Sequence, residues 1–399
     1  MPTTVDHPAR RARRGALLAF STNGALIGSL LPRYPEVADA FSLTTAQLGF
    51  VVILFGLGAA TTGSMPGWWL RRFGSRRVST GATWLIAALT TGAGLATTLG
   101  PVGLWAFVPL MLLAGIGDGV TDVAQNSQGL RVQQAYGRSL LSSMHAGWSG
   151  GAALGGAAGA LAARLGVALP VHLAVAGLVC AVIVSWGATT FLPDRGATVD
   201  DDTAATAPSA STLRALVLTV PLTLIALGGF AVEDVGNNWS AYFLRTELHL
   251  DLGLAGLGVT TVLGAQLFGR LLGDRVIDRL GARLAVRLSL LAVAVGMVVA
   301  AWSPWPPLTF AGFALAGLGC AISVPIAFSE ADRLPGLAPH QGLAMASWLM
   351  RVATLAVSPA VGIVGQTVGL RSALSLIAVV AVVGLLLTHR LRPQPRFAP

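Results

Sequence analysis

"RFGSR" at residues 72–76 returns as "RLGAR" at 279–283, an offset of 207 residues. A second pair, "LAGIG" at 113–117 and "LAGLG" at 315–319, repeats at an offset of 202. Two independent matches at nearly one offset mark an internal duplication. Between the copies lies the longest polar stretch, residues 193–212, "PDRGATVDDDTAATAPSAST". It is rich in Pro, Ser, Thr and Asp and too poor in apolar residues to fold alone. The division expected is a first unit at 1–192, a linker at 193–213 and a second unit at 214–399.

Composition says what the unit is made of. The chain is 54% apolar and 11% charged, where a soluble domain carries roughly 25% charge, and its mean hydropathy is +0.71. A bilayer core needs about 20 apolar residues per helix. Such runs lie near 15–32, 46–65, 78–99, 103–127, 140–163 and 170–192, then near 214–243, 254–273, 284–302, 308–328, 341–363 and 371–388. The fold expected is an all-α membrane protein of twelve transmembrane helices in two pseudo-symmetric six-helix bundles. The first run follows Arg10, Arg11, Arg13 and Arg14, like a secretory or twin-arginine signal. Asn23 at its centre and the lack of a small-residue cleavage site favour a retained helix.

All 26 basic residues are arginine. Without lysine, neither a nucleotide-binding P-loop nor a pyridoxal Schiff base can be built. Cys180 and Cys320 sit in apolar runs and offer no disulfide framework or zinc spacing. The net charge of +9 is scattered over short segments between the spans, which speaks for membrane topology and against nucleic acid. With the amino terminus inside, 21 arginines fall on cytoplasmic segments and four outside (Arg33, Arg164, Arg245, Arg371), with Arg351 inside a span. That bias places both termini in the cytoplasm of a cell (inner) membrane.

Six-helix duplications with a central linker are common in secondary transporters, whose substrate sites lie near the midplane. The architecture, the linker and the arginine-glycine loops resemble the major facilitator superfamily over essentially the whole chain. That family's second-loop signature runs roughly G-x-x-x-D-R-x-G-R-R; here Gly67 is followed by Arg71, Arg72, Gly74, Arg76 and Arg77, with Arg71 in place of the aspartate. The eighth-loop copy, "GRLLGDRVIDRLGAR", keeps Asp278, Arg279, Gly281 and Arg283, and has Asp274 where the first glycine would stand. The resemblance implies a cytoplasmic gate of latching charges at Arg72, Gly74, Arg76, Asp274, Asp278, Arg279, Gly281 and Arg283. "DVAQNSQG" (122–129), "GRSLLSSMHAGWSGG" (137–151), "NNWSAYFL" (237–244) and "GRLLGDRVIDRLG" (269–281) are similar to the bacterial branch of rhizopine-type and fucose-type sugar carriers.

Charged groups inside spans cost about 2.5–3.5 kcal/mol at a helix centre, so each asks for a reason. In the fourth span Asp118, Asp122 and Asn126 form an i, i+4, i+8 stripe. The positions 202 residues later hold Cys320, Val324 and Phe328, so the duplication itself does not require acids. A carboxyl held out of water takes up a proton readily, which makes Asp118, Asp122 and His145 candidates for proton coupling. The alternative is that Asp122 and Asn126 bind loop arginines such as Arg131 or Arg72. In the seventh span Glu233 and Asn237 share one face and Asp234 and Asn238 the next. Carboxylate, amide and indole suit a hydroxylated solute, so Glu233, Asn237 and Trp239 are substrate-binding candidates; the alternative is an interfacial cap. Arg351, with Trp348 one turn earlier, should meet Glu233, Asp118 or an anionic substrate group, unless it forms a fixed ion pair. Gln266 and Asn23 complete the candidates, or serve as interhelical glue.

One motif points elsewhere. Gly147-Trp148-Ser149-Gly150-Gly151 matches the G-x-S-x-G pattern of hydrolases. No strand-turn-helix elbow surrounds it, and Gly147, Gly151, Gly155 and Gly159 read as a ladder for close helix packing. His145 and Ser149 lie on the opposite face, with His145 at the depth of Asp122. The function expected is a proton-coupled secondary transporter of a small polar solute of sugar or polyol type, working by alternating access and not an enzyme. The alternatives are a proton-driven exporter of an amphipathic or drug-like compound and, more remotely, an intramembrane serine hydrolase or a non-transporting sensor. The partners expected are the solute, protons and the bilayer, with no nucleic acid, no cofactor and no metal, and the chain is expected to be a monomer.

Overall fold

The computed structural model describes residues 7–62, 65–136, 140–194, 212–337 and 341–391. Every regular element among them is helical. In the first half these are α1 (His7–Leu30), α2 (Tyr34–Phe41), α3 (Thr45–Val52), α4 (Leu54–Ala60), α5 (Met65–Ala96), α6 (Leu104–Tyr136), α7 (Leu141–Arg164) and α8 (Leu169–Gly187). The second half has α9 (Thr212–Asn238), α10 (Ser240–Glu247), α11 (Leu252–Leu280), α12 (Ala282–Trp302), α13 (Pro306–Cys320), α14 (Ser323–Asp332), α15 (Gln341–Val368) and α16 (Leu370–Leu387). Nine stretches among the described residues are long and apolar enough to cross a membrane. One of them, Trp68–Tyr136, carries two successive rods; the α3–α4 rod is shorter and α7 is glycine-rich, so the rods come to the expected twelve.

The glycines of the two opening motifs have the same conformation. Gly74 has φ 78° and ψ 156°, and Gly281 has φ 78° and ψ 152°. This left-handed region is open to glycine at little steric cost. Each glycine breaks the chain between a loop-side helix and the next span: Gly74 within α5, Gly281 between α11 and α12. The duplication therefore reaches individual dihedral angles.

It reaches the packing as well. In the first half α1 packs on α7 and α8, and α5 on α6 and α8; in the second half α9 packs on α15 and α16, and α12 on α13 and α16. These are matching pairs, helix for helix. The chain divides into two compact units. Unit one is Met1–Thr44, Phe50–Thr198 and His249–Thr260, and unit two is Thr45–Gly49, Val199–Leu248 and Thr261–Pro399.

The ladder on α7 meets α1. A Cβ on Gly151 would fall on the backbone carbonyl of Ser21, one on Gly155 on that of Ala25, and one on Gly159 against Ser29 and Pro32. From the other side, Gly24 and Gly28 abut the carbonyls of Trp148 and Ala152. With lipid outside, close backbone approach of this kind supplies the van der Waals contact that holds helices together. Gly151→Val is expected to destabilise unit one by about 1–3 kcal/mol or more through overpacking, read as a lowered melting temperature in detergent. Gly264→Ala, where a Cβ meets nothing within 4 Å, should leave the melt unchanged.

Three helices run differently from the apolar runs. The second and tenth rods are each broken, at Ile53 and at residues 321–322, and α11 continues to Leu280 instead of stopping near 273. Arg270, near the end of the expected run, is followed by ten more helical residues and stands one turn beyond Gln266.

Candidate functional site

In unit one, Asn23 of α1 donates from Nδ2 to Asp118 Oδ1 of α6 at 3.0 Å. Asn23 is 4% exposed, and its Oδ1 has no hydrogen-bond partner. Asp118 is half-buried and Asp122 is exposed. Asp122 accepts from Asn126 Nδ2 at 2.8 Å, and Asn126 Oδ1 lies 3.2 Å from His145 Nε2 of α7. The two groups expected to pair thus join through Asn126. Phe20 stacks edge-on against the His145 ring, with centroids 5.1 Å apart. Ser149 is buried and its hydroxyl donates to the main-chain oxygen of His145 at 3.3 Å, one turn earlier on the same helix.

In unit two, α9 and α11 bring Glu233, Gln266 and Arg270 together. Gln266 Nε2 donates to Glu233 Oε2 at 2.7 Å, and Arg270 Nη2 reaches the same oxygen at 3.2 Å. Gln266 and Arg270 are i, i+4 on α11 and so present one face. Asn237, one turn beyond Glu233, has a buried Oδ1 without a partner. Arg351 was expected to meet Glu233, Asp118 or an anionic substrate group, or to form a fixed ion pair; among the described side chains Arg270 is an arginine that reaches Glu233. The Arg351 side chain lies outside the described residues, and Trp348, three residues earlier on α15, is exposed.

A second network occupies the adjacent face of α9. Ser358 of α15 donates to Asp234 Oδ2 at 2.6 Å. It receives the indole N–H of Trp239 at 3.0 Å and Asn238 Nδ2 at 3.3 Å, and Asn238 Nδ2 also reaches Asp234 Oδ1 at 3.0 Å. Trp239 is fully buried, and its ring packs edge-on against Tyr242, with centroids 6.0 Å apart. A solute-stacking surface was expected of Trp239; the structure puts the indole inside the packing of α9. Ser358 gave no signal in sequence, because a lone Ser in an apolar run has many ordinary uses.

At the arginine-rich end, a carboxylate from beyond α8 meets the chain at the Gly74 break. Asp194, just past α8, accepts from the Ser75 backbone N–H at 2.9 Å and from the Ser75 hydroxyl at 2.8 Å, and pairs with Arg131 of α6. Ser75 opens the helical stretch that follows Gly74, so the carboxylate sits where an N-terminal cap is favourable. Arg283, the counterpart of Arg76, instead donates to the carbonyls of His389 and Leu391 past α16. Arg72, Arg76, Asp278 and Arg279 are exposed, and the Asp274 side chain lies outside the described residues. Asp194→Ala is expected to cost about 1 kcal/mol, within the range for a lost cap. Adding Arg71→Asp should restore part of the melting temperature by returning an acid to this end.

Comparison with known proteins agrees with this architecture. Residues 225–399 match the Major Facilitator Superfamily model. An uncharacterized transporter, y4wD, of Sinorhizobium fredii is 29% identical over 328 residues, covering 80% of this chain and 81% of the relative. Membrane protein MosC of Rhizobium meliloti is 29% identical over 368 residues, covering 91% and 86%. Among solved structures, the partially occluded xylose transporter XylE from E. coli superposes with a TM-score of 0.71 at 15% identity, over 99% of this chain and 100% of that one. The nucleoside transporter NupG superposes with a TM-score of 0.67 at 14% identity, over 96% and 98%. Twelve rods in matched sixes and paired glycine breaks thus go with a second half that matches the Major Facilitator Superfamily model and a chain similar over most of its length to relatives described as transporters.

Proposed function

We propose that this protein is a proton-coupled secondary transporter of a small polyhydroxylated solute, sugar or polyol in type, working by alternating access in the cell membrane. The observation that carries the solute class is the buried, unmet Oδ1 of Asn237 one turn from the Glu233–Gln266–Arg270 cluster. A buried acceptor without a donor costs about 1–3 kcal/mol, and a hydroxyl supplied by a ligand repays it. Carboxylate, amide and guanidinium on one side, as here, match the alternating donors and acceptors of a polyol. The solved structures named above include carriers of xylose and of nucleosides, and those names fit the same chemistry.

For coupling, Asp118 is the better candidate of the two carboxyls on α6. It is half-buried and held by one amide whose own oxygen is unmet, so protonation changes a small, specific network. Asp122 is exposed and tied to Asn126. Glu233, Gln266 and Asn237 form the proposed solute-binding set of unit two, Asn23 serves Asp118 in unit one, and Asp194 with Arg131 and Ser75 is the proposed arginine-end latch. A thermal-shift panel on the purified protein tests the solute class. Stabilisation by pentoses, hexoses or polyols that disappears in Asn237→Leu is expected. Stabilisation only by lipophilic compounds would point to the exporter reading.

A further inference from the structure

Outside the proposed solute site, unit one carries an open groove of about 470 Å³. It runs along the outer faces of α5 and α6, past Gly81, Leu85 and Leu113, and ends at Trp69, Phe73 and Arg77. Leu85 is 51% exposed and Leu113 50%. The size suits a small-molecule or chain-binding cleft. Gly81 lines it, and a Cβ there would meet nothing within 4 Å. Helix packing therefore does not demand this glycine; its effect is to leave the groove open.

The two ends differ in chemistry. Arg77 is the charged residue of the lining, and it stands at the mouth beside exposed Arg71, Arg72 and Arg76. None of these four arginines has an ion-pair partner among the described residues, because Asp194 is taken by Arg131 and Ser75. Trp68 and Trp69, edge to face with ring centroids 5.3 Å apart, and Trp69 and Phe73, tilted at 5.4 Å, form an exposed aromatic rim beside them. Aromatic rims of this kind sit at headgroup level, and the arginine count assigns this end to the cytoplasmic leaflet.

We propose that the groove binds an anionic glycerophospholipid, with one acyl chain lying between α5 and α6 and the phosphate held by Arg77 and Arg76. Charge complementarity selects the occupant. Basic pockets between spans on the cytoplasmic side suit anionic headgroups, and guanidinium matches phosphate bidentately. Arg71 adds to this: the family pattern has an aspartate there, whose charge would repel a phosphate, and this chain has the opposite sign. A groove filled only by bulk lipid would show no headgroup preference.

Native mass spectrometry of the full-length protein in detergent reads the difference, with phosphatidylglycerol, phosphatidylcholine of the same chains and sn-glycerol 3-phosphate as probes. The wild type is expected to retain phosphatidylglycerol over phosphatidylcholine, by about fivefold per engaged arginine. Arg76→Gln with Arg77→Gln, both exposed and so harmless to folding, should erase the preference while leaving phosphatidylcholine binding unchanged. Gly81→Leu should weaken both lipids, with an unaltered melt in lipid-free detergent as its folding control. Equal retention of the two lipids by the wild type would overturn the proposal, as would a preference that survives in the double arginine variant. Displacement of phosphatidylglycerol by glycerol 3-phosphate at equal concentration would also overturn it, since the site would then be one for free phosphate.

Discussion

Glu233→Gln is expected to lower solute transport by roughly tenfold to a hundredfold while leaving the fold intact. The carboxylate of Glu233 takes a hydrogen bond from Gln266 and an ion-pair contact from Arg270. Its side chain is 19% exposed and that of Arg270 32%. Removing one member of a largely buried pair leaves the other charge uncompensated, which costs several kcal/mol when burial is complete. The partial exposure here brings the expected penalty down to about 1.4–2.8 kcal/mol, and every 1.4 kcal/mol is tenfold. Glutamine is nearly isosteric and still accepts from Gln266, so the loss isolates charge from shape. The companion variant Glu233→Gln with Arg270→Gln removes both charges. It should regain thermal stability relative to the single change without regaining transport, because the solute still lacks its ionic partners. Transport recovered in the double variant would make the pair a structural element only.

The second large effect is expected at Asp118. Asp118→Asn keeps an oxygen for Asn23 Nδ2, whose bond to Asp118 Oδ1 is 3.0 Å, but removes the proton-carrying carboxyl. Gradient-driven accumulation should fall to the level of a proton-collapsed control, while exchange of labelled for unlabelled solute at equal pH continues, since solute contacts on α9 and α11 are untouched. Asp122→Asn should retain accumulation, its carboxylate being exposed and bonded to Asn126. His145→Ala acts on the same chain of contacts through Asn126 and should shift the pH profile of transport less than Asp118→Asn does.

The fold was legible in sequence because its determinants are local and periodic. Apolar runs of bilayer length and the ladder from Gly147 to Gly159 follow from residue spacing alone, and Gly74 and Gly281 announce themselves as a repeat. The site was legible only in part. Glu233 was visible as a charge in a span, but its arginine was not: Arg270 stands at the loop-side end of its run among other loop arginines, and only the packing of α11 beside α9 brings it to Glu233. Asp194 lay in a stretch that composition marks as linker, and only the fold carries it 119 residues back to Ser75. His145 and Asp122 were expected at one depth, and a depth does not say that the Asn126 amide bonds to both. Trp239 shows the opposite failure. An indole beside polar residues reads as a sugar platform, and its burial against Ser358 depends on α15, more than 100 residues away.

The central claim, solute movement coupled to protons, is tested most directly in proteoliposomes holding a trapped pH-sensitive dye, with pentoses, hexoses and polyols added outside in turn at zero pH gradient. The account predicts that at least one of them drives proton entry that Asp118→Asn abolishes and Glu233→Gln reduces at least about tenfold. Labelled solute entering the same vesicles with no proton signal, and at the same rate in Asp118→Asn as in the wild type, would contradict it.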